Sequence, residues 1–455
     1  MAEGIAYAGE FDISSLKLYT ATGEIIDLSA VYQELDIYEN MFSNALTGTI
    51  QILDTNNLTM NAPITGQEFL SFKINTPGLD NVPIDFTNHV MSIYKIDLRM
   101  SDRGSELIIL HFCSPELLRN NRTRLSKVFE GNISDTVVEI LKGAKALNTE
   151  KELFVEHTLG IKKTIVPNKN PYSLIRDLTT DAISMDGSPH FVFFENLDGI
   201  HFRTLDSLYE QGSVGEFIAS DKGDIDFAEG GISNVEEDLK RVLEYSFASN
   251  NDTKRNIKSG MFGSKAIRHN IYLKNYRVIP YDYFDEFNKH KRVSNNTSTD
   301  NPIYNDGAVD FANNLSDFKD AKIFMHGTSE DSAGTDTQHY GGAYTPNKIL
   351  NNISSRYAKN TEIDNGVKIN MQINGNTTVR TGSVIDFQLP IVGTNHTGDV
   401  FDVYHSGKFL ITKANHHFVS LGKKYTIHLS AVKDSFNSKL PSGFGESQEP
   451  RGGQL

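Results

Sequence analysis

The chain has 455 residues, 38% hydrophobic and 22% charged, enough apolar material for more than one packed core and for about three domains of ordinary size. No run approaches the roughly 18 apolar residues of a membrane-spanning helix, and the first ten residues, with Glu3 and Glu10 but no Lys or Arg, do not read as a secretory leader. Forty-four Lys and Arg against 58 Asp and Glu leave a net charge of −14, which disfavours direct, and so sequence-specific, nucleic-acid binding but not the passage of DNA past an acidic wall.

The first third reads as all-β. Ile50 and Ile52 share one face of an alternating strand over Thr47–Leu53, and Asp54–Asn57 supplies turn residues. Glu68–Ile74 alternates again, with Phe72 and Ile74 on one side. A hairpin follows, from Val90–Met100 through Ser101-Asp102-Arg103-Gly104 to Ser105–Cys113. These strands predict a small antiparallel barrel over 1–114. The single cysteine, Cys113, excludes an internal disulfide and reads as a small core hydrophobe rather than a nucleophile. One cysteine also fits synthesis in a cytoplasm.

From Ser114 the apolar period changes. Ile133, Val137, Ile140, Leu141 and Ala144 follow helical spacing behind Asn132 as N-cap. A second helix opens at Asn170-Pro171, and its apolar face is Leu174, Ile175, Leu178, Ala182 and Ile183. A hairpin over Phe191–Leu205 turns at Asp198-Gly199. Two helices and a hairpin predict an α+β domain over 115–212.

Val242–Phe247 reads as a strand. Beyond it, 248–358 is long and polar, an irregular inserted domain with one clear strand, Ile267–Leu273, and loops over Ser294–Asn301 and Gly327–Gly342. Its aromatic segment carries Tyr276, Tyr281, Tyr283, Phe284 and Phe287, which suit a core or an interface equally and are the candidate interface residues. Thr345-Pro346 opens a helix with Ile349, Leu350, Ile353 and Tyr357. Val367–Ile373, Val384–Leu389, Phe409–Phe418 and Tyr425–Val432 restore an all-β pattern, so a second barrel is predicted over 213–247 and 359–435. The tail, 436–455, is rich in Ser, Gly and Pro and predicts flexibility in isolation.

The two β regions share a layout. Thr65-Gly66 precedes Phe72 as Thr381-Gly382 precedes Phe387, and eleven residues separate Ile93 from Gly104 and Ile411 from Gly422. Two similar barrels per chain, in a closed threefold ring, would place six similar units around a channel.

No enzymatic pattern assembles. There is no Gly-x-Ser-x-Gly elbow and no His-Glu-x-x-His helix, and Gly260-Met-Phe-Gly263-Ser264-Lys265 is too short for a phosphate loop. His416 and His417 are adjacent on a strand and point to opposite faces, and His405 is too distant to join them. Acidic pairs such as Asp285-Glu286 and Glu236-Glu237 give no defined separation for glycoside hydrolysis. No catalytic, metal or cofactor residues are assigned.

Three segments together resemble the baseplate hub proteins of contractile-tailed phages. They are Asn44–Thr55 with Thr65–Ile74, Asn170–Leu178 with the Phe191–Leu205 hairpin, and Ser406–Thr412 with Asn415–His417 and Leu429–Asp434. The resemblance implies a mainly β, α+β fold with two tail-tube-like barrels and a peripheral α+β domain. It implies a non-catalytic homotrimer in the virion tail baseplate, made in the host cytoplasm. Its partners would be a separate central spike protein, a tail tube or tube-initiator protein, baseplate wedge proteins and the tape measure protein. Hubs of bacterial contractile injection systems share this architecture. A tail-associated glycan hydrolase and a receptor-binding adhesin are the alternatives from other classes.

Overall fold

The computed structural model describes residues 7–55, 64–77, 83–102, 105–219, 235–248, 252–270, 274–294, 301–306, 313–328, 346–391 and 401–440. The turn at 103–104, most of the two polar loops and the tail beyond 440 lie outside the described residues.

Alternation of apolar and polar residues organises the N-terminal sheet. Its strands are β1 (Asp12–Tyr19), β2 (Ile25–Asp27), β3 (Tyr32–Asn40), β4 (Thr47–Asp54), β5 (Phe69–Asn75), β6 (Ile84–Asp85), β7 (Met91–Asp102) and β8 (Ser105–Cys113). Along β4 every second residue is buried, including Ile50 and Ile52, because a period of two sends one set of side chains inward. The main strand order is β1-β5-β7-β8-β4-β3. Cys113 is buried, and burial first, then the Glu195 carboxylate, pushes its thiol up to about 12.

The α+β unit holds α1 (Pro115–Arg122), β9 (Leu125–Gly131), α2 (Ile133–Lys142), β10 (Leu153–Val155), β11 (Lys162–Lys169), α3 (Pro171–Asp181), β12 (Phe191–Glu195), β13 (Ile200–Thr204) and α4 (Leu205–Tyr209). The apolar stripes of α2 and α3 meet Phe191, Phe193 and Phe202 in a core of their own. Asn132 occupies the N-cap position of α2, but its side chain makes no capping bond. Lys151 ties the unit to the N-terminal sheet, donating to Ser114 Oγ at 3.0 Å, Glu116 at 3.0 Å and Glu195 at 2.5 Å. Such a buried cluster is tolerable because each charge has a partner.

The C-terminal part contains β14 (Ser213–Ala219), α5 (Val235–Lys240), β15 (Arg241–Ala248), α6 (Thr253–Ser259), β16 (Gly263–Asn270), β17 (Asn275–Asp282), α7 (Tyr283–Glu286), β18 (Asn301–Pro302), β19 (Ile323–Thr328), α8 (Pro346–Asn365), β20 (Val367–Asn374), β21 (Val384–Gln388), β22 (Gly407–Val419), β23 (Lys424–Lys433) and β24 (Ser435–Phe436). Six strands close into a barrel in the order β14-β21-β22-β23-β20-β15 and back to β14.

The fold is mainly β with an α+β unit, as expected from the sequence, and three finer expectations need correction. The two sheets are not both closed antiparallel barrels. The C-terminal barrel closes through parallel pairs of β14 with β15 and β21, whereas β1 runs antiparallel to β5 and shows no pairing with β3 among the described residues. The described residues of the inserted region are not irregular throughout. They form a three-stranded sheet, β17-β16-β19, and Phe262, Tyr283, Phe287 and Tyr304 join the core cluster of the barrels. The region's rings also do not form an exposed group: Tyr281, Tyr283 and Phe287 are buried inside the chain and Phe284 is partly buried, with Phe262 edge-on to Tyr283 and stacked on Phe284, and Phe287 edge-on to Tyr283. Only Tyr276, 72% exposed on the sheet edge, stays available.

Candidate assembly interface

The two sheets are halves of one repeated pattern. Strands β1, β3, β4, β5, β7 and β8 match β14, β15, β20, β21, β22 and β23 in chain order and in neighbour order. The registers match too. Ser92–Cys113, Ile93–Phe112 and Lys95–His111 in β7·β8 correspond to Leu410–Val432, Ile411–Ala431 and Lys413–Ser430 in β22·β23, with a bulge at the same step. Glu34–Gln51 in β3·β4 corresponds to Glu244–Gln372 in β15·β20, each one step past a bulge. Gly66 and Gly382, the paired turn glycines, both have φ of 90°, a left-handed region closed to most side chains.

The halves join edge to edge. β3 pairs antiparallel with β22 from Lys413–Asn40 to Val419–Glu34, which buries Leu35, Ile37 and Phe418 completely. Glu39 lies in this seam and accepts the backbone N–H groups of Leu197 at 2.7 Å and Thr381 at 2.6 Å. Burial raises its pKa, but His416 and these two N–H donors outweigh burial and hold the carboxyl below its ordinary value. Nearby, His416 bonds the Tyr425 hydroxyl at 2.7 Å, while His417 faces outward to Asp36 at 2.8 Å. His405 pairs instead with Asp402. The three histidines do not converge.

The equivalent edges on the other side of each half stand open. By the matched registers, the counterpart of β3 is β15 and the counterpart of β22 is β7. β15 meets β14 only through Arg241 and Val242, so its edge from Glu244 onward has no strand beside it among the described residues. β7 meets β5 only through Met91 and Ser92, and its edge beyond Ile93 is likewise unpaired among those residues. Tyr245 on β15, the counterpart of fully buried Leu35, is 44% exposed. An open strand edge presents ladder donors and acceptors that another chain can complete. No single motif reveals this, because pairing lives in the register and not in any one segment.

A second constellation joins residues far apart in sequence. His190 precedes β12, Asp206 lies on α4, and His290 follows the short 3-10 turn Phe287–Lys289. His190 Nδ1 is 3.7 Å from Asp206 Oδ1, and His290 Nδ1 is 3.6 Å from Asp206 Oδ2. Burial lowers the pKa of His190 to about 4, so the ring is neutral near pH 7. Burial raises the pKa of Asp206, but its two imidazole neighbours more than reverse this and hold it far below the usual carboxylate range. A cleft of about 780 Å³ opens beside Asp206 and His290. Sequence reasoning missed this group, since spacings of sixteen and eighty-four residues form no motif.

No protein-family model and no curated protein sequence matches the chain. Its fold does match solved structures. The tail protein from Neisseria meningitidis MC58 aligns over 93% of this chain and 97% of its own, with a TM-score of 0.55 and 8% identity. The 43 kDa tail protein of prophage MuSo2 from Shewanella oneidensis aligns over 92% and 98%, with a TM-score of 0.51 and 7% identity. The fold of this chain is therefore that of these tail proteins.

Proposed function

We propose that the chain is the structural hub of a phage-type contractile tail, a homotrimer whose two repeated halves make a ring of six similar units. The observation that carries this reading is the pair of open edges. The seam β3·β22 joins the halves within a chain, and the same seam, repeated as β15 of one protomer against β7 of the next, closes a ring after three chains. A ring with threefold chain symmetry and six similar units can meet a threefold spike on one face and a sixfold tube on the other. The role is geometric, with no catalytic step assigned to the chain. The acidic composition suits a wall that lets DNA and the tape measure protein pass without adhering. Spike, tube or tube-initiator and wedge proteins are the partners this geometry calls for. The same reading covers the hub of a bacterial contractile injection system, and gene neighbourhood separates the two settings.

Particle averaging of the assembled tail tests the proposal. The expected image is a threefold ring with six similar lobes around a channel. A chain present as a monomer outside any ring would overturn it.

A further inference from the structure

We propose that His190, Asp206 and His290 form a binding site for a single divalent transition ion of zinc type, which clamps the inserted segment onto the α+β unit.

The argument begins with protons. The Ser355 hydroxyl lies 3.3 Å from His190 Nε2 and 3.2 Å from His290 Nε2. A hydroxyl carries one proton, so at least one of these Nε2 atoms must donate to it. The donating ring, when neutral, has a lone pair on Nδ1, which on His190 also lies 3.4 Å from the Ser188 hydroxyl. That lone pair faces a carboxylate oxygen of Asp206 at 3.6 or 3.7 Å, too far for a hydrogen bond. Asp206 Oδ1 is buried without a hydrogen-bond partner among the described residues. Two electron-rich atoms that face each other across such a gap call for a cation between them.

The distances fit that cation. Two ligands bonded at 2.0–2.2 Å to one zinc-type ion stand roughly 3.4–3.6 Å apart at angles of about 110–120°. The three donor atoms all lie within 4.8 Å of one another. The widest separation, at most 4.8 Å, must close by up to about 1.2 Å to reach that range, and His290, 17% exposed at the cleft, has room to turn. Ser355 on α8 supplies the outer hydrogen bonds that fix both rings, as metal-bound histidines ordinarily require. The cleft is lined by five carboxylates against three lysine and arginine side chains, so it favours cations and gives the ion a route from solvent. His190 and Asp206 belong to the α+β unit, while His290 belongs to the inserted segment, so the ion would tie the two together.

The test is isothermal titration of the chelator-stripped full chain with zinc chloride, followed by cobalt(II) absorption at the same site. Wild type should bind one ion per chain with a raised unfolding temperature. Ser355→Ala should bind on the order of tenfold more weakly. His290→Ala should lose stoichiometric binding and show no rise in unfolding temperature when zinc is added, and His405→Ala should bind normally. Asp206→Asn serves as the second ligand variant if His290→Ala fails to fold. No saturable binding by wild type, or undiminished binding by the ligand variants, would overturn the proposal.

Discussion

Glu39 accepts the backbone N–H of Thr381 at 2.6 Å across 342 residues of chain, and so fastens the N-terminal sheet to the turn that opens β21. Its other oxygen accepts from Leu197, which brings the α+β unit into the same junction. Glu39→Gln keeps one acceptor and replaces the other with a donor that would face a buried N–H. The expected cost is about 1–3 kcal/mol, read as a lower urea midpoint. An unchanged midpoint would show that the seam does not depend on this carboxylate.

The paired glycines separate strain from packing. Gly66 and Gly382 share φ of 90°, but an added Cβ at Gly66 meets nothing, whereas at Gly382 it meets Phe194 Cζ at 2.7 Å. Gly66→Ala should cost about 1 kcal/mol from backbone strain alone. Gly382→Ala should cost about 2–4 kcal/mol, because the fully buried Phe194 ring must also shift. Thermal unfolding of the two variants, compared side by side, checks the order.

His201 gives the fold a pH dependence. Its ring is stacked between Phe154 at 4.5 Å and Phe194 at 4.8 Å, and Nε2 lies 2.9 Å from Asn196 Oδ1. Burial first, and the Arg203 charge second, lower its pKa to about 4. The unfolded chain has a histidine pKa near 6.5 and binds the proton more readily. Its contribution to stability is therefore full above about pH 6.5 and is lost as pH falls toward 4, at up to about 1.4 kcal/mol per unit. His201→Leu should reduce the slope of that part of the stability profile, leaving the share of His190, whose pKa burial also lowers to about 4. Asn196 Oδ1 still accepts from Asp198 and Gly199, so the variant orphans no acceptor there. An undiminished slope in His201→Leu would assign the effect to other groups.

The strand edges predict a variant that folds but does not assemble. Tyr245→Glu places a charge on the open edge of β15, at a side chain already 44% exposed. The monomer should lose no more than about 1 kcal/mol, and light scattering should show that trimers are gone. Trimers of undiminished mass would remove β15 from the interface.

Much of the fold was legible in the sequence where one face is buried. Thr47–Leu53 alternates cleanly because its inner face meets the core, Phe409–Phe418 shows as an apolar run buried from Phe409 to Thr412, and α3 shows through Pro171 and its apolar stripe. Elements without that contrast escaped. Helix α1 has the sequence PELLRNNR and buries Glu116 and Asn120, so it carries almost no apolar stripe. The ribbon β9·β11 leaves Val128 and Ile165 exposed and reads as loop. Repetition showed as spacing around Thr65-Gly66 and Thr381-Gly382, but which edges stay open depends on registers between strands hundreds of residues apart. The His190–Asp206–His290 cluster is hidden for the same reason, since three separate elements converge on it.

The matched registers name the contact between protomers. Asn415 faces Tyr38 in the internal seam, and their counterparts are Asp97 on β7 and Ala248 on β15. Residues directly opposite in an antiparallel pair have Cα atoms about 4.5–5.5 Å apart, within reach of a disulfide. The decisive measurement is oxidation of the double variant Asp97→Cys with Ala248→Cys, read by mass under denaturing conditions. The ring predicts a covalent trimer, with neither single variant giving more than a trace of linked species. A double variant that stays a single chain, although trimers form in solution, would contradict the repeated seam.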